Sequence, residues 1–202
     1  FQMTGFGEDP ITISGLLYPE ELGGREELDA IRATHKRGKP VLMVPGQVED
    51  DASIRYGSPQ ICKNLDLLQA VRAANPAAYI LYTPHPDVVS GNRIVGVSAA
   101  DAARYADQVV TECDLLSCLS AADVVHTMTS LTGFEALLRG KKVVCYGLPF
   151  YAGWGLTQDR LPIPRRSRKL ALPELIAGTL IYSPGYVHPD TRRIITAAPA
   201  VA

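Results

Sequence analysis

From Pro40 onward, apolar blocks of four or five residues alternate with stretches whose apolar positions recur at helical spacing, the pattern of a parallel sheet covered by helices. Val41-Leu42-Met43-Val44 predicts a buried strand ending at Pro45-Gly46, followed by a loop over residues 47–57. Ser58 is placed to cap a helix with Pro59 at its first position, where a missing N–H removes no bond, and Ile61, Leu65, Leu68 and Val71 form that helix's inward face. Asn75-Pro76 ends it. Tyr79-Ile80-Leu81-Tyr82 predicts a second strand, stopped by Thr83-Pro84-His85-Pro86 because two prolines cannot continue a ladder. A helix is expected from near Ser98, then a short apolar pair Val109-Val110, a short helix over 115–121 and a strand Val124-Val125-His126. A helix over 132–139, closed by Gly140 in a left-handed cap, precedes the strand Val143-Val144-Cys145-Tyr146. At least four strand–helix alternations within about 110 residues predict an α/β fold, a Rossmann-like open parallel sheet covered by helices, rather than a barrel or a helical bundle.

The flanks are less periodic. Residues 1–39 form an N-terminal, interdomain segment, in which a helix over 20–36 would present only Leu22, Leu28 and Ile31 as apolar positions. Residues 40–185 make the Rossmann-like domain, with a final helix expected over 171–180, and residues 186–202 are a tail. Composition narrows the classes. With 20 Lys and Arg against 21 Asp and Glu, a formal charge of −1 and 47% apolar residues, the chain can bury a core and lacks the positive excess of a bulk nucleic-acid binder. No apolar run approaches the roughly 18 to 20 residues of a membrane helix, and the first residues lack the parts of a signal peptide, so a soluble, cytoplasmic chain is expected. A chain starting at Phe1 reads as a piece of something longer. Cys62, Cys113, Cys118 and Cys145 show no CxxC pair and predict buried, reduced thiols; His35, His85, His126 and His188 have no metal-site spacing, so no metal is expected.

In an open parallel sheet a ligand lies beyond the carboxyl ends of the strands. Three polar stretches fall there: Gly46-Gln47-Val48-Glu49-Asp50-Asp51, His85-Pro86-Asp87, and the run from Thr127 to Gly133. The hydroxyls of Thr127, Thr129, Ser130 and Thr132 run into a helix start, where free N–H groups and the positive end of the dipole favour a phosphate; a solvated cap is the plainer alternative. Gly133 permits close backbone approach, and Glu135 can bond a ribose hydroxyl or simply occupy an acid-friendly first turn. His85, held between two prolines, can donate to a phosphate oxygen. A carboxylate of Glu49, Asp50 or Asp51 beside an anionic ligand would weaken binding, so it would be expected to serve as nucleophile or base. The loop from Gly147 to Thr157 carries Phe150, Tyr151 and Trp154, either as a face for a base or sugar or as a lid over the core. The run from Arg160 to Lys169, with Arg165, Arg166 and Arg168, is a solvated connector or a contact for anionic head groups or an acidic acceptor.

Four stretches in this order carry a resemblance: residues 44–54 around Pro45-Gly46-Gln47-Val48-Glu49-Asp50-Asp51, residues 84–88 around His85-Pro86-Asp87, residues 126–137 from His126 to Leu137, and Gly147 to Thr157. Over roughly residues 40 to 185 the chain resembles the bacterial capsule polysaccharide biosynthesis proteins, the KpsC-type β-Kdo transferases. The resemblance implies one half of a GT-B-type, retaining glycosyltransferase that moves Kdo from CMP-β-Kdo to a phosphatidylglycerol-type lipid acceptor in capsule linker synthesis. It implies Gln47, His85, Pro86, Thr129, Ser130, Thr132, Gly133 and Glu135 on the donor, and Asp50 as nucleophile, with Glu49 and Asp51 as the other claimants. CMP leaves as a stable anion, so no cofactor is implied. A second Rossmann-like domain and a capsule biosynthesis complex are the implied partners, with the chain cytoplasmic and peripheral at the inner membrane, and the piece alone is expected to transfer little. The competing expectation is a non-catalytic nucleotide-binding or assembly module of such a complex. An enzyme acting on UDP-sugars is disfavoured, since no Gly-x-Gly-x-x-Gly follows the first strand.

Overall fold

Apolar blocks without alternation need cover on both faces, and the observed sheet has it. The computed structural model describes residues 2–4, 10–12, 38–86, 97–111, 114–188 and 190–196. The expected helix over 20–36, Asp87 and Cys113 lie outside these. The chain divides into two compact units, Tyr18–Arg168 and a discontinuous one of Phe1–Leu17 with Lys169–Ala202. In the discontinuous unit, strands β1 (Gln2–Thr4) and β2 (Pro10–Thr12) pair antiparallel.

The larger unit holds β3 (Val41–Pro45), helices α1 (Ala52–Gly57) and α2 (Asn64–Ala74), β4 (Tyr79–Thr83), α3 (Ala99–Ala102) and β5 (Gln108–Val109). It continues with α4 (Leu115–Ala121), β6 (Val124–Thr127), α5 (Leu131–Leu138), β7 (Lys142–Cys145) and β8 (Gln158–Asp159). The discontinuous unit ends in α6 (Leu172–Ile176), which runs on as π-helical turns over Ala177–Tyr182, and an antiparallel pair of β9 (Tyr186–Val187) and β10 (Ile194–Ile195).

Strands β3 to β8 form one sheet in the order β5-β4-β3-β6-β7-β8, every neighbouring pair parallel. Counted within the sheet this is 3-2-1-4-5-6, the Rossmann order, whose direction of winding reverses between β3 and β6. The register pairs Leu42 with Ile80 and Val44 with Tyr82. These four share a core with Leu67, Leu68 and Val71 of α2 and Ala102 of α3. By strand alternation Val41, Met43, Leu81 and Val125, each fully buried, face the other way, where α4 packs on β3 and α5 on β6 and β7.

Four of the described helices begin with a side-chain cap: Asp51 accepts from Ser53 N, Ser98 from Asp101 N, Asp114 from Ser117 N and Ser130 from Thr132 N. Gly140 closes α5 at φ +68°, as expected. Two expectations are corrected. Ser58 does not open a helix: it is the C-cap of α1, its hydroxyl donates to Ile61 O, and the next helix starts at Asn64. Cys118 and Cys145 are buried free thiols, but Cys62 is exposed. Among the described residues no helix is long and apolar enough to cross a membrane.

Candidate nucleotide site at the switch point

Parallel strands deliver their last residues to one edge, and where the winding reverses the following loops diverge and leave a crevice. A cleft of about 830 Å³ lies at that edge. Its walls come from Gly46, Gln47, Val48, Asp51 and Ser53 after β3, Thr83 at the end of β4 with Pro84 to Pro86 beyond it, Val110, Thr111 and Leu115 after β5, and Thr129 to Thr132 with Glu135 after β6.

Close approach of two loops sets the β3 side. Gly46 N donates to Thr83 O at 2.7 Å, and a Cβ at Gly46 would lie 2.9 Å from Tyr82 Oη and 3.0 Å from His85 N. Only glycine lets these loops meet, and their meeting puts His85 at the cleft. The next residue, Gln47, is buried and joins β3 to β6. Its carboxamide oxygen accepts from Thr129 N at 3.0 Å, Ser130 N at 3.1 Å and, at 3.3 Å, Thr127 Oγ1, while its Nε2 donates to Thr129 Oγ1 at 2.9 Å. The backbone donors expected to hold a phosphate at Thr129 and Ser130 are thus occupied from within the protein.

Among the groups that wall keeps for a ligand is a hydroxyl. Ser130 Oγ accepts from Thr132 N and donates to Thr132 Oγ1 at 3.0 Å, which leaves the Thr132 hydroxyl proton free to donate and polarised by the bond it accepts. Ser130 is therefore the cap and Thr132 a donor to the cleft. Across the cleft, Thr83 Oγ1 is the buried side-chain polar atom without a hydrogen-bond partner among the described residues.

The acidic triplet separates by location. Glu49 Oε1 accepts from Asn64 N at 2.8 Å and Asn64 Nδ2 at 3.1 Å, so it supplies from across the loop the cap that Lys63 does not provide to α2. Asp51 lines the cleft while capping α1 through Ser53. Asp50 is exposed and is not part of the lining.

The aromatic loop stands away from the lining. Tyr151 is fully buried and its hydroxyl donates to Ser130 O, while Phe134, Phe150 and Tyr151 form a ring cluster with centroids 5.0 to 6.4 Å apart. A Cβ at Gly133 would meet Tyr151 Oη at 2.2 Å, so the glycine serves Tyr151 packing. Burial, with the buried Cys145 nearby, pushes the Tyr151 phenol well above its ordinary range, so it stays a donor. Trp154 Nε1 donates to Phe150 O, and Arg166 stacks over the indole while donating to Pro149 O and Ala152 O. One arginine of the basic run is thereby a strut. His126 is buried on β6 with Nδ1 3.4 Å from Tyr146 Oη; burial, then the Arg160 charge, lowers its pKa to about 4 and keeps it neutral.

Asn64 carries little local signal in the sequence beyond being an Asn that opens the apolar-periodic stretch. Among the described residues no group of three or more His, Cys, Asp or Glu is placed to hold a metal ion.

The profile of the family described as "Capsule polysaccharide biosynthesis protein" matches residues 19–182. The chain is 72% identical over 162 residues to the capsule polysaccharide modification protein LipA of Neisseria meningitidis, covering 80% of this chain and 23% of that protein. It is 48% identical over 145 residues to the lipopolysaccharide-processing protein LpsZ of Rhizobium meliloti, covering 72% of this chain and 33% of that one. The chain thus spans about a quarter to a third of the length of these curated relatives. Among solved structures, the β-Kdo 2,7 transferase of Thermosulfurimonas dismutans KpsC matches at TM-score 0.72 and 43% identity, over 88% of this chain and 60% of that one. The β-Kdo 2,4 transferase of the same protein matches at TM-score 0.67 and 29% identity, over 93% of this chain and 63% of that one.

Proposed function

The chain belongs to the capsule polysaccharide biosynthesis protein family, and from that premise we propose that it is the donor-binding half of a retaining Kdo transferase that uses CMP-β-Kdo. The observation that carries this reading is the polarity of the switch-point cleft. Its described lining has hydroxyls and His85 but no Lys or Arg, and it includes the carboxyls of Asp51 and Glu135. Such a wall suits a single phosphodiester better than a diphosphate, because each further phosphate charge adds repulsion from the two carboxylates with no fixed cation to offset it. In this reading the Thr132 hydroxyl and His85 hold the phosphate, Ser130 and Gln47 shape the loop that presents Thr132, and Glu135 accepts from a ribose hydroxyl.

Retention of anomeric configuration needs two displacements. A carboxylate oxygen of the triplet bonds to the anomeric carbon of Kdo while the bond to the phosphate oxygen breaks, and CMP leaves with the electron pair. An acceptor hydroxyl, giving up its proton, then displaces the carboxylate. Glu49 is committed to Asn64, and of the triplet Asp51 is the carboxylate that lines the cleft. We therefore assign the nucleophile to Asp51, with its neighbour Asp50 as the competing position. The acceptor is a phosphatidylglycerol-type lipid, reached by a chain peripheral to the inner membrane and completed by a second Rossmann-like domain.

The test is transfer from CMP-Kdo by a protein joining this chain to that second domain. Asp51→Ala abolishes transfer and retains CMP binding. Loss in Asp50→Ala alone moves the nucleophile to Asp50, and normal transfer in both variants removes the two aspartates from the mechanism. CMP binding without transfer by the joined protein would favour an assembly module.

A further inference from the structure

The Gln47 carboxamide can hold the β6–α5 loop only if Gln47 itself is held, and the preceding Gly46 leaves its backbone permissive. The hold comes from Asn64. Its Oδ1 accepts from Gln47 N at 2.9 Å, its Nδ2 donates to Gln47 O at 2.8 Å, and the ring these bonds close fixes the main chain on both sides of the Gln47 Cα. Asn64 is 2% exposed, and its own N–H and Nδ2 are anchored on Glu49 Oε1. The side chain thus ties the start of α2 to the loop after β3, which lines the cleft, although Asn64 does not line the cleft itself.

We infer that Asn64 is the positioning residue of this site, fixing the Gln47 carboxamide and through it the Thr129 and Ser130 backbone that presents the Thr132 hydroxyl. Four elements are linked in sequence: the start of α2, the loop after β3, the loop after β6 and the first turn of α5. An asparagine suits this place because it offers one acceptor and one donor, as the Gln47 peptide groups require. The isosteric aspartate offers two acceptors, and its charge would face Gln47 O and the Glu49 carboxylate.

This inference rests on the cleft being the ligand site, and the experiment separates the two. Hydrogen exchange of the full chain is followed at the Thr129 amide, whose acceptor is Gln47 Oε1, and at the Tyr146 and Val110 amides, which donate to sheet carbonyls. In Asn64→Asp, Thr129 exchange rises about tenfold or more, the effect of one lost buried bond, while Tyr146 and Val110 keep their protection. The dissociation constant for CMP rises by about the same factor. Adding Glu49→Gln, whose new amide donates to the new carboxylate, recovers part of both. Unchanged Thr129 exchange, an equal loss at all three amides, or unchanged CMP affinity would overturn the inference. If Asn64→Asp does not fold, recovery of the fold and of Thr129 protection in the double variant supports the inference, and failure to recover overturns it. Absence of CMP binding by the wild-type chain would overturn the nucleotide reading, and the exchange measurement would still decide the role of Asn64.

Discussion

Gly133→Ala sets two physical effects against each other. Gly133 is inside α5, where alanine is favoured over glycine by about 1 kcal/mol, so helix propensity alone makes the variant more stable. The new Cβ, however, would lie 2.2 Å from Tyr151 Oη, 2.7 Å from Cζ and 2.9 Å from Cε2. Tyr151 is fully buried and hydrogen-bonded to Ser130 O, so the ring cannot swing into solvent. Overpacking of this kind costs about 1–3 kcal/mol. Displacing the phenol also loses a bond of about 1 kcal/mol. Taking the upper half of that range because three ring atoms clash, the net is a loss of about 2 to 3 kcal/mol after the propensity gain. In urea unfolding, with a slope of roughly 2 to 3 kcal/mol per molar, the midpoint falls by about 1 M. Adding Tyr151→Phe removes the 2.2 Å contact but not the two ring-carbon contacts, so it restores only part of the loss. A Gly133→Ala chain as stable as wild type, or more so, would refute the reasoning and return Gly133 to the role of admitting a ligand.

His126 is neutral when folded, with a pKa of about 4 against an ordinary 6.5, so the unfolded chain binds the extra proton between these values and stability is lost as pH falls through that window. The loss is about 2 kcal/mol by about pH 5 in urea titrations, and His126→Phe removes that part of the slope. Asp51→Ala loses the α1 cap and about 1 kcal/mol of stability in urea unfolding, and unchanged stability would contradict the cap. Arg166→Met frees the carbonyls of Pro149 and Ala152 and uncovers the chain's only tryptophan. Trp154 emission should therefore shift to the red, and an unshifted spectrum would remove Arg166 from that contact.

Much of the frame is readable because it is local. Strands β3, β4, β6 and β7 announce themselves as apolar blocks, since a strand covered on both faces has no polar alternation, and the capping residues Ser98 and Ser130 mark their helices. The helix assigned to Ser58-Pro59 goes astray for a local reason too. Asp51 offers an equally good cap seven residues earlier, and the short α1 that it opens uses Ser58 to stop. Strand β8 is two residues long and polar and is defined by its pairing with β7, so no pattern shows it.

The site divides along the same line. His85, Thr132 and Asp51 are found at strand ends because parallel topology dictates where to look. The structural duties of Gln47, Glu49, Asn64 and Gly133 depend on partners 15 to 83 positions away, or on a ring that a missing Cβ admits, and a one-dimensional pattern does not carry those distances. Polar residues in a Gly-Gln-Val-Glu-Asp-Asp loop look alike in sequence. Location and hydrogen-bond partners then sort them into a bridge, a cap for α2, an acid outside the lining and a carboxylate in the cleft.

The central claim is that the switch-point cleft holds a nucleotide through one phosphate and the Thr132 hydroxyl. Calorimetric titration of CMP and of UDP into the wild-type chain and into Thr132→Val tests it most directly. The account predicts that CMP binds more tightly than UDP and that Thr132→Val weakens CMP by about tenfold, the loss of one charge-assisted bond. Tighter binding of UDP, or CMP affinity unchanged in Thr132→Val, would contradict it.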